Sequence, residues 1–158
     1  MQEIKKKTII IGLGNPIVSD DGVGIKAVRI LSETIKDDAI TFKEIYIGGM
    51  QLMEAMVGYD RALIIDAIAA GGVVGSFYEL ALSDISRSRN SYSSHDTDLL
   101  SAIDLGRMAG LLLPNDIKFW AIEVKDVITF SEGLTEEVQN ALPDFIKVIA
   151  QDLLDGEI

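Results

Sequence analysis

His95 is the only imidazole in this 158-residue chain, and the chain has no cysteine. Disulfides, thiolate metal sites and cysteine nucleophiles are thereby excluded, and any histidine chemistry must run through this one side chain. Asp21 and Asp66 could supply its partners. Two carboxylates and an imidazole form a hard-to-borderline donor set suited to zinc or nickel. Each residue also has a plainer reading: Asp21 as a helix cap, Asp66 as a turn residue ending a strand, and His95 as a solvated histidine in a serine-rich stretch. Asp66 weighs most against the plain readings. It closes the apolar run Ala62 to Ile65, and a carboxylate buried there without a partner would be costly, so it must face a cleft, a partner or a metal.

Other constellations fall away. Gly12-Leu13-Gly14-Asn15-Pro16-Ile17 begins like a dinucleotide fingerprint, but isoleucine stands where the third glycine should allow close helix packing. A Ser–His–Asp arrangement could be written with Ser94 and His95, yet neighbours on one loop rarely make the nucleophile-to-base hydrogen bond. Gly22 and Gly24 fall in a first helical turn, where glycine costs about 1 kcal/mol relative to alanine. They imply either close packing of that turn on a strand or a ligand approaching the backbone. Gly48-Gly49 reads as a turn, Lys5 to Lys7 as a solvated strand entrance, and Met53 with Met56 as core.

The elements that must carry these residues alternate. Thr8 to Leu13 is a continuous apolar run, the pattern of a strand covered on both faces. Val23, Ala27, Val28, Leu31 and Ile35 follow at helical spacing, with Ser19 or Asp20 placed to cap that helix. Ala39 to Ile47 reads as a strand and Gln51 to Val57 as a short helix. Arg61 to Ile65 is a third strand, placing Asp66 just past its end, and Val73 to Leu82 is a fourth. Asp84 to Asp96 reads as an exposed loop, Thr97 to Leu113 as a helix and Ile117 to Val124 as the last strand. Thr135 to Leu154 is helical, with a kink or a new segment at Pro143. The pattern predicts an α/β three-layer sandwich with a mostly parallel, twisted five-stranded sheet and helices on both faces. Val73 to Leu82 follows its predecessor without a helix and is the antiparallel candidate. Ligands in such folds sit beyond the carboxyl ends of the strands, where Asp21 and Asp66 both fall.

Length and composition bound the rest. Residues 1–158 suit one domain, and 48% apolar residues interleaved with charge suit a folded chain. No apolar run approaches the roughly 20 residues that cross a bilayer, and no signal peptide is expected, which points to the cytoplasm. A net charge of −11 opposes nucleic-acid binding.

The residues in order resemble the hydrogenase-maturation endopeptidases, which trim the C-terminus of the large subunit of nickel-iron hydrogenases. The resemblance rests on Gly12-Leu13-Gly14-Asn15-Pro16, Ser19-Asp20-Asp21-Gly22-Val23-Gly24, Gly48-Gly49, Leu63-Ile64-Ile65-Asp66-Ala67, Ser94-His95, Ala121-Ile122-Glu123-Val124 and Gly133-Leu134-Thr135-Glu136-Glu137-Val138. It spans about Thr8 to Leu154. It implies a twisted sheet flanked by helices, and it assigns metal-binding and catalytic roles to Asp21, Asp66 and His95. It further implies that the metal is nickel already installed in the hydrogenase large-subunit precursor, with zinc or cadmium as stand-ins in vitro. Asn15, Gly48 and Gly49 become candidates for supporting the site or the substrate loop. Family members often carry an acidic residue ahead of the glycine pair; here that position is Ile47. Asp20 is the candidate to take over as a supporting or proton-handling group. The expected enzyme is a monomeric peptidase acting through metal-polarised carbonyl or water.

Two rivals remain. A non-cleaving recognition or chaperone module for a nickel enzyme is kept alive by Ile47. Peptidyl-tRNA hydrolase shares the Gly-Leu-Gly-Asn-Pro opening, but it would require an early histidine and a basic surface.

Overall fold

The computed structural model describes residues 4–87 and 99–156. Its strands are β1 (Thr8–Leu13), β2 (Ile40–Ile45), β3 (Arg61–Ile68), β4 (Phe77–Ala81) and β5 (Asp116–Glu123). Its helices are α1 (Val23–Thr34), α2 (Met50–Met56), α3 (Leu82–Arg87), α4 (Leu99–Met108) and α5 (Glu136–Asp155), with a 3-10 turn at Ser19–Gly22. The strands form one sheet in the order β2-β1-β3-β5-β4. All pairings are parallel except β4 on β5, so the antiparallel strand is the one expected.

Every residue of β1 and β3 is buried, as central strands covered on both faces require. Alternate side chains feed two cores. Ile10, Leu63 and Ile65 meet α1 and α5 on one face, through residues such as Val28 and Phe145. Ile9, Ile11 and Ile64 meet α2 and α4 on the other, where Met53 and Met56 are core as expected. This is the three-layer arrangement read from the sequence.

Several boundaries differ, each for a physical reason. β3 does not stop at Ile65 but continues to Ile68, because β5 keeps pairing with it through Asp66↔Ala121 and Ile68↔Glu123. Asp66 therefore lies within a strand. The stretch expected to be loop from Asp84 begins as α3, whose start is fixed by the Asp84 carboxylate accepting the Ala81 N–H at 2.8 Å. Gly110, at φ 81°, follows the end of α4, well short of Leu113. α5 runs unbroken through Pro143. An internal proline costs about 3 kcal/mol, whereas each large apolar side chain fully buried returns roughly 1.5–3 kcal/mol. Val138, Leu142, Phe145, Ile149 and Leu153 are all buried along that helix, enough to carry it past the proline.

The expected Ser19 or Asp20 cap on α1 is absent. Gly22 holds the N-cap position, with no side-chain bond to the helix. Asp20 instead turns away and is fully buried. Its Oδ2 accepts the N–H groups of Lys125 and Asp126 at 3.0 Å each, and its Oδ1 accepts the Thr135 N–H at 2.7 Å. The Thr135 hydroxyl donates to the same carboxylate, at 2.8 Å to Oδ2. One carboxylate thus ties the loop after β1 to the loop after β5 and to the start of α5. A parallel bridge Val18↔Ser131 runs beside it, with the Ser19 N–H on the Ser131 carbonyl at 2.8 Å.

Of the two readings for the early glycines, close packing is what the structure contains. A Cβ on Gly24 would strike the carbonyl oxygen of Ile65 and lie 2.6 Å from that of Leu13, and a Cβ on Gly12 would strike the Gly24 carbonyl. On Gly22 it would lie 2.9 Å from the Pro16 Cα. The first turn of α1 therefore rests directly on the backbone at the end of β1 and within β3.

Three stability measurements follow. Gly24→Ala forces backbone apart and is expected to lose at least about 2 kcal/mol in urea unfolding. Gly133→Ala meets only the Ser131 Oγ at 3.5 Å and should stay within about 0.5 kcal/mol of the parent. Asp20→Ala leaves three amides and a hydroxyl without their acceptor and is expected to cost about 3–5 kcal/mol in the same assay. An Asp20→Ala protein as stable as the parent would show that the knot is dispensable.

Candidate functional site

β1 and β3 part company at Gly12↔Ile65, the last pair between them. From Asp66 onward β3 is paired only with β5, and the space on its β1 side receives the 3-10 turn that carries Asp21. A crevice at the carboxyl ends of neighbouring parallel strands is where open α/β sheets place ligands. Asp66 is 3% exposed. Its Oδ1 accepts the N–H of Ala67 at 2.8 Å, which fixes the direction of the carboxylate. Alternation from Ile64 puts Asp66 on the α2/α4 side of the sheet.

Asp21 is half-buried and is held from the strand end. The Asn15 N–H donates both to the Asp21 carbonyl at 3.2 Å and to its Oδ2 at 3.0 Å. A Cβ on Gly14 would strike that same Asp21 carbonyl, so the turn can close only over glycine. The Asn15 backbone thus holds Asp21, while its side-chain Oδ1 accepts the Ile17 N–H at 3.2 Å and stiffens the turn. Three residues beyond Asp21, Gly24 touches Ile65, the neighbour of Asp66. The α1–β3 contact therefore brings the turn that carries Asp21 alongside β3, the strand that carries Asp66.

His95 lies outside the described residues, as does Ser94. Among the described residues no three side chains of the histidine, aspartate and glutamate types converge as a metal-holding group. Asp20, expected as a supporting or proton-handling group, belongs to the framework instead: its carboxylate is engaged by the β5–α5 loop. The glycine pair acts as a plain turn. Gly49 adopts φ 68°, open to glycine, forms the N-cap of α2 and accepts the Met53 N–H at 3.0 Å. Ile47, where a carboxylate was sought, is 64% exposed.

The loop after β5 is held in place by local polar contacts. The Thr129 hydroxyl, then the Thr129 and Ile128 amides, hold the Asp126 carboxyl below the usual carboxylate range. Lys125 Nζ binds Glu137 at 2.9 Å, which lowers the Glu137 carboxyl and raises the Lys125 ammonium. The residue that sequence reasoning passed over is Glu123. It ends β5 as Asp66 interrupts β3, an acid after an apolar run, and only 2% of it is exposed. That signal was present in Phe119-Trp120-Ala121-Ile122-Glu123 but was masked by its place in a longer motif.

Comparison with known proteins agrees with this architecture. The hydrogenase maturating endopeptidase HybD from Escherichia coli superposes with a TM-score of 0.82 at 21% identity, over 95% of this chain and 93% of that one. The [NiFe] hydrogenase maturation protease HybD from Thermococcus kodakarensis gives 0.72 at 24% identity, over 92% and 97%. The hydrogenase expression/formation protein HoxM of Azotobacter vinelandii is 21% identical over 150 residues, 93% of this chain and 72% of its own length. These likenesses speak for the fold. The family itself is shown by the sequence model described as HycI, hydrogenase maturation protease, which matches residues 25–152 and so includes Asp66 and His95 but begins after Asp21. With most of its length matched in this way, the chain belongs to the hydrogenase maturation protease family.

Proposed function

We propose that this protease removes the C-terminal extension of a nickel-iron hydrogenase large-subunit precursor after nickel insertion, with Asp21, Asp66 and His95 engaging the nickel that the precursor brings. The observation that carries the reading is the position of Asp66, a carboxylate buried in a central strand at the point where β1 ends and the Asp21 turn begins. Two carboxylates and one imidazole fit nickel or zinc as a donor set. Metal held there would polarise the scissile carbonyl or activate a water.

The chain's own contribution is orientation. The Ala67 amide fixes Asp66 and the Asn15 amide fixes Asp21, so neither carboxylate has to be ordered when the precursor docks. The buried floor of β1 and β3 beneath them excludes water from that side. Asp20 and Thr135 hold the neighbouring loops still. The precursor is the natural partner, and zinc or cadmium should replace nickel in binding experiments.

The rival reading, docking on a nickel enzyme without cutting, draws on exposed Ile47, which leaves no carboxylate ahead of the glycine pair. Mass spectrometry of the precursor C-terminus separates the two, because only a peptidase shortens it. His95→Ala, Asp21→Asn and Asp66→Asn are each expected to slow trimming of a nickel-loaded precursor by at least about a hundredfold while the protein stays folded. Normal trimming by the His95→Ala protein would sink the trio.

A further inference from the structure

Glu123 is the acid in this fold whose burial the proposed chemistry leaves unexplained. Its backbone is fully engaged: its N–H donates to the Ser76 carbonyl at 2.7 Å and its carbonyl accepts the Gly75 N–H at 2.8 Å. The side chain does something else. Oε1 accepts the N–H groups of Ala70 at 2.8 Å and Gly72 at 2.9 Å, pulling the exposed segment 69–73 back over the end of β3. Oε2 is buried with no hydrogen-bond partner among the described residues. The fit is close, since a Cβ on Gly72 would lie 3.5 Å from the Glu123 Cδ and 3.3 Å from the Tyr78 hydroxyl.

Such an arrangement is expensive for stability alone. A buried carboxylate oxygen without a partner carries an uncompensated desolvation penalty. Ala70 and Gly72 sit in an exposed segment where water could serve their amides. What the carboxylate accomplishes is geometric. Ile68 pairs with Glu123 and Asp66 with Ala121, so Asp66 and Glu123 share one face of the β3–β5 ribbon. They stand two residues apart along it, roughly 7 Å. The chain leaving Asp66 is pinned at Ile68, whose carbonyl accepts the Val124 N–H at 2.9 Å, and again at Ala70 and Gly72 by Glu123.

We propose that Glu123 is a positioning residue of the cleavage site: by splinting residues 70–72 it fixes the backbone that leaves Asp66, and with it the aim of the Asp66 carboxylate. This rests on the assignment of Asp66 to the reacting centre. Glu123 itself touches neither substrate nor metal.

The test compares Glu123→Ala, which removes the splint, with Glu123→Gln, which keeps a carbonyl oxygen for the two amides at the same size. With a nickel-loaded precursor, Glu123→Ala is expected to lower kcat at least tenfold with KM within twofold, and Glu123→Gln to recover kcat to within threefold of the parent. Cadmium titration of the isolated protein gives a second readout, with affinity expected to fall about tenfold in Glu123→Ala and to return in Glu123→Gln. A parental kcat in Glu123→Ala overturns the proposal. So does a change confined to KM, or a Glu123→Gln protein as impaired as Glu123→Ala while both unfold at the parental urea midpoint. If the parent binds cadmium but trims no precursor, the protease reading fails, while the cadmium affinities still decide the role of Glu123.

Discussion

The first turn of helix α1 sets the Gly24 backbone directly on β1 and β3, and the placement of the turn that carries Asp21 follows from that contact. Gly24 on the helix rests against the carbonyls of Leu13 and Ile65, and Gly12 on β1 rests against the carbonyl of Gly24. Any Cβ at either place would hold the helix off the sheet. Because α1 can approach so closely, its entry turn reaches the notch where β1 ends and β3 continues. The turn that carries Asp21 is thereby packed against β3, the strand that carries Asp66. Glycine in a first helical turn is locally unfavourable. The compensation is tertiary, and it lies at the floor of the site.

Adjacent aspartates take opposite jobs because the backbone of a 3-10 turn sends neighbouring side chains in different directions. Asp20 points inward and becomes a structural hub for the β5–α5 loop, while Asp21 stays half-exposed and is braced by the Asn15 amide. The sequence Ser19-Asp20-Asp21 carries no mark of which acid does which. A helix-capping rule selects Ser19 or Asp20 from local spacing, but the winning partner of Asp20, Thr135, lies 115 residues away in sequence. Non-local competition of this kind is what a reading of propensities cannot weigh.

Where periodicity was strong, the chain declared its fold. The unbroken apolar runs at Thr8 to Leu13 and Ala62 to Ile65 announced central strands, and the missing helix before β4 announced its antiparallel pairing. Asp66 was legible because an acid interrupts an apolar run. Its place inside β3 was not, since the extra pairs Asp66↔Ala121 to Ile68↔Glu123 depend on how far a distant strand continues. The new segment that Pro143 could have started is overruled in the same way, by burial along a helix face.

Among the described residues, the two ends of the sheet hold their charged side chains differently. At the amino ends of β3 and β5, Arg61 and Lys118 meet Asp116, Asp152 and Glu79, and the Trp120 indole N–H joins them on Asp152 at 3.1 Å. Acid is matched there by base. At the carboxyl ends the carboxylates of Asp20, Asp21, Asp66 and Glu123 accept backbone amides, with the Thr135 hydroxyl added at Asp20. Amides orient and solvate a carboxylate without cancelling its charge. Among the described contacts, one end of the sheet thus joins its acids to arginine and lysine, while the other orients its acids with backbone amides and a hydroxyl.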